Sequence, residues 1–312
     1  MRVTFIGAGA MGGLFGSLMT EAGLDIQLVD IWEEHVEVIK ARGGIDLRND
    51  EPGPNGYGGV DLVTSDMGEA LEQADIAMVV VPSTGHADVA RLCAPHLRKG
   101  QIVLLNPGRT GGALEFRHVL QEQGCDARVL VAEAETLVYA CRSDGPAEAR
   151  IFRIKQSVPV AAMPATGTGR VLEAVSDAYP QFIDGVSVLH TGMNNMGAIF
   201  HPAVTLLNAA RIESTRGEFL FYIDGVTPSV ARMLEALDRE RVTVASALGI
   251  RARTAMEWLR VAYDATGADL HEAIHNQSGY YDIKAPRTLN HRYITEDVPM
   301  SLVPIAALGQ QY

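Results

Sequence analysis

Basic residues are the first thing this sequence is short of: 26 Lys and Arg face 38 Asp and Glu, a formal net charge of −12 over 312 residues. A chain this acidic lacks the positive surface that a phosphate backbone requires, so nucleic acid is not an expected partner. Cysteine is almost absent. Cys93, Cys125 and Cys141 have neither metal-ligand spacing nor the density of a disulfide framework, which predicts no metal and a reducing, cytoplasmic compartment. Long apolar runs are missing too; the longest, Ile76 to Pro82, is far too short to span a bilayer, so no membrane partner is expected. The chain enters its first apolar strand directly, which predicts no signal peptide. No internal repeat or low-complexity tract is present. What remains is an ordinary globular composition, 47% hydrophobic and 21% charged, long enough for two domains.

The most informative stretch opens the chain. Val3 to Ile6 is a short apolar run that predicts a buried strand, followed by Gly7, Gly9 and Gly12 in the spacing G-x-G-x-x-G. Leu14, Phe15, Leu18 and Met19 then recur at helical spacing. Strand, glycine turn and helix make the context of a dinucleotide fingerprint, with Gly7, Gly9, Ala10, Met11 and Gly12 as candidate pyrophosphate contacts. Ile26 to Asp30 reads as the next strand, and Asp30 stands about 20 residues past the glycines, where a carboxylate meets the ribose hydroxyls. With no Lys or Arg directly after it, Asp30 favours NAD over NADP. The same position is also compatible with an N-cap for a helix over Glu33–Ala41.

Strand and helix signals then alternate, predicting an α/β fold with a doubly wound parallel sheet. Strands are expected at 60–64, 75–82 and 102–105, a helix at 113–123, and shorter strands extending the sheet at 128–132, 138–142, 151–155 and 158–163. Residues 49–59, rich in Gly, Pro and Asn, read as a surface loop or irregular hairpin. Two loops at strand ends, containing Pro82 and Ser83 and then Asn106 and Gly108, are placed to line a cofactor cleft. A last strand is predicted at 182–190. From Met193 onward the signals are helical (197–214, 228–248, 254–265), which sets residues 1–190 as a Rossmann-type domain and 191–312 as an all-helical one.

In the helical half, Asn194, Ala198, His201, Thr205 and Asn208 are spaced to share one helix face amid apolar neighbours. Such a stripe must be hydrogen-bonded internally or line a cleft. Histidine suits proton transfer near neutral pH, although an isolated helical histidine is equally compatible with a structural role. Near the C-terminus, Arg292, Glu296 and Asp297 gather ahead of Pro299. Arg292 suits a substrate carboxylate and Asp297 suits an imidazole partner; a solvated, helix-capping charge cluster has the same appearance.

Longer motifs join these pieces. Asn106 to Arg117, Leu189 to Thr191, His201-Pro202, Thr205 to Arg211, Gly225 to Val230, Arg292-Tyr293, Glu296 to Val298 and Leu302 to Pro304 follow in an order that resembles the opine dehydrogenase family along essentially the whole chain. The resemblance implies an NADH-dependent oxidoreductase that condenses an α-keto acid such as pyruvate with the amino group of an L-amino acid and reduces the imine. It implies His201 as acid/base, Asp297 as its carboxylate partner and Arg292 as the keto-acid clamp. Asn194, Asn195 and Cys141 would line the amino-acid side, and the protein would be a homodimer. Members of that family continue with further helices well past the Leu-Val-Pro motif, a stretch this sequence does not include. Two rival readings share the same plan: a 2-keto- or 3-hydroxy-acid dehydrogenase without an amine substrate, and a non-catalytic NAD-binding relative.

Overall fold

The structure, a computed structural model, describes residues 1–9, 24–50 and 55–312. Ala10, Met11, Gly12 and the helix expected after them lie outside the described residues. The chain divides into two compact units: Met1–Gly108 with Gly112–Thr191, and Arg109–Gly111 with Gly192–Tyr312.

The first unit contains twelve strands among the described residues. They are β1 (Arg2–Ile6), β2 (Asp25–Val29), β3 (Gly44–Asn49), β4 (Gly56–Gly59), β5 (Leu62–Thr64), β6 (Ile76–Val79), β7 (Ile102–Leu105), β8 (Leu130–Ala134), β9 (Tyr139–Gly145), β10 (Glu148–Ile154), β11 (Val158–Met163) and β12 (Phe182–Asp184). Eight form one sheet in the order β12-β11-β8-β7-β6-β1-β2-β5. Every pairing in it is parallel except β8 with β11. The reason is visible in the strands themselves. Alternate residues of β1, β6 and β7 bury into different apolar clusters, Val3, Phe5, Met78 and Leu104 into one and Ile6, Val79, Val103 and Leu105 into another. Strands covered on both faces must be apolar at nearly every position, which is the pattern of 76–82 and 102–105.

In this unit three expectations change. The segments around 139–145 and 148–154 do not extend the main sheet; β9 and β10 join β3 and β4 in a separate sheet ordered β4-β3-β10-β9. The irregular hairpin expected at 49–59 begins earlier, because β3 follows at once on Gly43, the left-handed end of the helix Glu33–Arg42, and pairs antiparallel with β4. The strand expected over 182–190 stops at Asp184. Asp184 Oδ1 accepts the Val186 N–H at 2.7 Å, and the Ser187 carbonyl accepts from His190 and Thr191, so the chain turns and starts the helix Val188–Met193.

The described second unit is helical, with one isolated antiparallel bridge between Leu220 and Lys284. Ile199, Phe200, Val204, Phe221, Leu234, Leu259 and Ile274 share its core. The helix expected over 197–214 breaks in two, Gly197–Leu207 and Ala209–Thr215. Asn208 is the cause: its Nδ2 donates to the carbonyls of Val204 and Gly225, both at 2.9 Å, so the side chain competes for the helix's own acceptors. The helix Pro228–Ala247 is capped by Thr227, and Ala255–Tyr263 by a reciprocal Thr254–Glu257 box.

Candidate active site

In the first unit the predicted cofactor residues gather where β1, β2, β6 and β7 end. Gly7 adopts φ +109°, open only to glycine without strain, and donates its N–H to the Val29 carbonyl at 2.8 Å. Nothing described lies within 4 Å of where a Cβ on Gly9 would stand. Asp30 is nearly buried. Its two oxygens accept the Ala8 N–H and the Trp32 N–H, so each keeps a lone pair in reserve. It does not cap the helix at 33, whose N-cap is Trp32. Pro82 and Ser83 open a short 3₁₀ turn after β6. Asn106 receives its place from an N–H bond to the Val79 carbonyl at 2.8 Å, while its Oδ1 is a buried acceptor without a hydrogen-bond partner among the described residues. Gly108 has a packing reason to be glycine: a Cβ there would come within 2.5 Å of Glu133. A reserved carboxylate, an open glycine turn and an orphaned amide oxygen at strand ends fit a dinucleotide.

Glu133 lies fully buried on β8. Its Oε1 accepts from Thr191 Oγ1 at 2.6 Å and its Oε2 from the Ala113 N–H at 2.8 Å. Burial pushes its carboxyl up to about 7 against those two bonds.

The second unit brings His201 and Asp297 together across 96 residues of sequence, with Nδ1 and Oδ2 2.9 Å apart. His201 projects from the helix Gly197–Leu207, whose Ile199, Phe200 and Val204 anchor it in the core. Asp297 follows the single turn Arg292–Thr295 and begins a π-helical turn over Val298–Leu302, where Pro299 occupies a position that needs no N–H donor. Asp297 is 0% exposed, so the charge cluster is not a solvated cap. Burial alone pushes the Asp297 carboxyl up, but the hydrogen bond and charge of His201, then Arg109 and Arg292, hold it below its ordinary 3.8. An ionised Asp297 fixes the Nδ1 proton in their bond and leaves Nε2 as the exchanging nitrogen. Tyr293 stacks on the imidazole at 4.1 Å between centroids and 19° between planes, limiting its rotation. His291 is pushed down from its ordinary 6.5 by burial, then by the charges of Arg292 and His201, with Asp297 opposing.

Arg292 Nε is ion-paired with Glu296 Oε2 at 3.0 Å while the Arg292 side chain stays 51% exposed. One guanidinium edge is thus committed to the protein and the other is available to a ligand. Arg109, to which sequence reasoning gave no role, belongs to the same cluster: Nη1 is 3.4 Å from Asp297 Oδ1 and Nε 3.5 Å from Glu296 Oε1. Its sequence signals were its place in a glycine-rich strand-end loop and in the motif Asn106–Arg117, neither of which points to a charge beside Asp297.

The remaining predicted residues hold the framework. Asn194 precedes the helix and so shares no helical stripe with His201; its Oδ1 accepts the Arg253 N–H at 2.8 Å. Asn195 donates to Ser301 Oγ at 2.8 Å and accepts from the Gly197 N–H at 3.1 Å. Thr205 donates back to the His201 carbonyl. Cys141 sits half-buried on β9 of the first unit, its thiol pushed up to about 12 by burial against the charge of Lys155.

The chain is similar to known proteins. The family described as NAD/NADP octopine/nopaline dehydrogenase, alpha-helical domain, matches residues 185–312, and ketopantoate reductase PanE/ApbA matches residues 3–145. The chain is 37% identical to an opine dehydrogenase of Arthrobacter sp. (strain 1C) over 305 residues, covering 98% of this chain and 84% of that relative. It is 23% identical to octopine dehydrogenase of Pecten maximus over 273 residues, 78% of this chain and 66% of that one. A solved octopine dehydrogenase in complex with NADH and agmatine shares the fold, with a TM-score of 0.83 at 21% identity over 99% of this chain and 85% of that one. D-mandelate dehydrogenase with NADH superposes at a TM-score of 0.62 and 16% identity, over 100% and 93% respectively. None of the described helices is long and apolar enough to cross a membrane.

Proposed function

The chain belongs to the opine dehydrogenase family and is an NAD-dependent oxidoreductase acting on CH–NH bonds; from that premise we propose that it joins an α-keto acid to an L-amino acid with His201 as acid/base. The observation that carries this reading is the 2.9 Å contact between His201 Nδ1 and a fully buried, ionised Asp297. Condensation of an amine with a ketone expels water from a carbinolamine, and the departing hydroxyl needs a proton. His201 delivers it from Nε2, and Asp297 stabilises the charged imidazole before that transfer. Tyr293 keeps the ring facing its substrate. Arg292 receives the keto-acid carboxylate on its free edge, a charge-assisted contact that also orients the carbonyl. Asn194 and Asn195 support the amino-acid side by fixing the chain ahead of the His201 helix.

Bound NADH supplies the hydride that reduces the imine carbon. Gly7, Gly9, Asp30, Pro82, Ser83 and Asn106 would hold it, Asp30 at the ribose and Asn106 as an acceptor. Residues 1–190 then serve as the cofactor domain and 191–312 as the substrate domain. The sparse cysteines, without disulfide or metal spacing, support a reducing, cytoplasmic compartment, and the family resemblance supports a homodimer.

NADH oxidation followed at 340 nm with a panel of keto acids and amino acids tests the proposal. Oxidation should require both substrates and should fall about 10²–10⁴-fold in His201→Gln. Keto-acid reduction that proceeds equally well without an amine, or undiminished turnover in His201→Gln, would sink it.

A further inference from the structure

Arg109 lies beside the acid/base pair without being part of it. Its backbone sits at φ +59°, and the segment it belongs to is pinned by Thr110, whose N–H reaches the Met300 carbonyl at 3.3 Å and whose Oγ1 donates to the Gly192 carbonyl at 2.9 Å. Its guanidinium is 12% exposed and occupies space left by Gly197, where a Cβ would lie 2.8 Å from Nη1 and 3.0 Å from Asp297 Oδ1. The buried Nε has no hydrogen-bond partner among the described residues, and the approaches to Asp297 and Glu296 are at ion-pair distances, 3.4 and 3.5 Å. A cation this buried, tied to two carboxylates by charge more than by directed hydrogen bonds, acts chiefly through its field.

We propose that Arg109 is a positioning residue for the acid/base pair: its charge keeps the Asp297 carboxylate ionised and directed at His201 Nδ1, and balances Glu296 beside it. The inference rests on the acid/base reading of His201. The groups facing the pair are Arg109, Arg292, Glu296, His291 and the phenols of Tyr222 and Tyr293. Two carboxylates against two guanidiniums leave the neutral imidazole in balanced surroundings. Deleting Arg109 makes those surroundings one charge more negative, so the proton shared by His201 and Asp297 is held more tightly.

The test compares Arg109→Gln and Arg109→Met with Arg109→Lys. In the condensation direction, the alkaline limb of kcat/KM against pH should move up by about 0.5–1 unit in both neutral variants, the size expected from one unit charge at a few ångströms in a partly screened site. kcat at the wild-type optimum should fall about tenfold, with both substrate KM values within about threefold, while Arg109→Lys returns the limb to its wild-type position. The imidazole C2–H proton resonance of His201, identified by its loss in His201→Gln, should shift its titration midpoint in the same direction without any turnover. Limbs and midpoints that coincide with wild type in both neutral variants overturn the inference. So does a rise in one substrate's KM alone, which would make Arg109 a substrate ligand. Full activity in His201→Gln would instead overturn the acid/base reading on which the inference rests.

Discussion

Glu133 and Asp297 are both buried carboxyls, and their surroundings drive them in opposite directions. Asp297 has a histidine and two arginines around it and remains ionised; Glu133 has only a hydroxyl and one backbone N–H. The folded Glu133 binds its proton up to about pH 7, whereas the unfolded chain releases it near 4.5. The native state therefore holds more protons between those values, and stability falls as pH rises through that window, levelling off above it. Asp297 has the reverse sign: its contribution is present above the unfolded value and is lost as pH falls through the lowered folded one. In urea titrations, the wild type should lose about 1–3 kcal/mol relative to Glu133→Gln between pH 5 and 8; parallel curves would mean the carboxyl is not held neutral. At this scale the sequence offered His201, Arg292 and Asp297 as candidates, and the fold brings His201 Nδ1 to 2.9 Å from Asp297 Oδ2. Arg109 stayed hidden, because its meaning comes from a carboxylate that approaches it only in the folded chain.

Among elements, the strands buried on both faces were the most legible: 102–105 and 158–163 are found at the positions expected from apolar content alone. The second sheet was not, because its strands are glycine-rich or half exposed, and the pairing that joins its two hairpins, β3 with β10, links segments far apart in sequence. The divided helix at Asn208 shows a related limit. Apolar periodicity runs through it unbroken, while one side chain that captures two carbonyls ends it. Removing that side chain in Asn208→Ala strands the Gly225 carbonyl and should destabilise the protein by about 1–2 kcal/mol in equilibrium denaturation. An unchanged midpoint would show that solvent replaces the lost bonds.

For the whole molecule, the governing fact is that each unit has its own core, so a ligand that engages one adds to the stability of the folded chain. NADH at about 100 times its dissociation constant should contribute about 2.7 kcal/mol and raise the melting temperature by about 5–10 °C. At equal concentration NADPH should do less, because the Asp30 carboxylate repels a 2′-phosphate, and Asp30→Asn should narrow the gap. Equal shifts for the two cofactors in the wild type would remove Asp30 from cofactor choice.

The second unit is discontinuous, with Arg109–Gly111 supplied from between two pieces of the first. This limits how the protein can be recombined. A chimera cut at residue 191 would give a borrowed helical half a foreign version of the loop that carries Arg109 and Thr110. Its Asp297 would then depend on a cation chosen for another protein's acid pair. Moving the helical unit intact between relatives therefore takes two parts, residues 109–111 and everything from 192 onward.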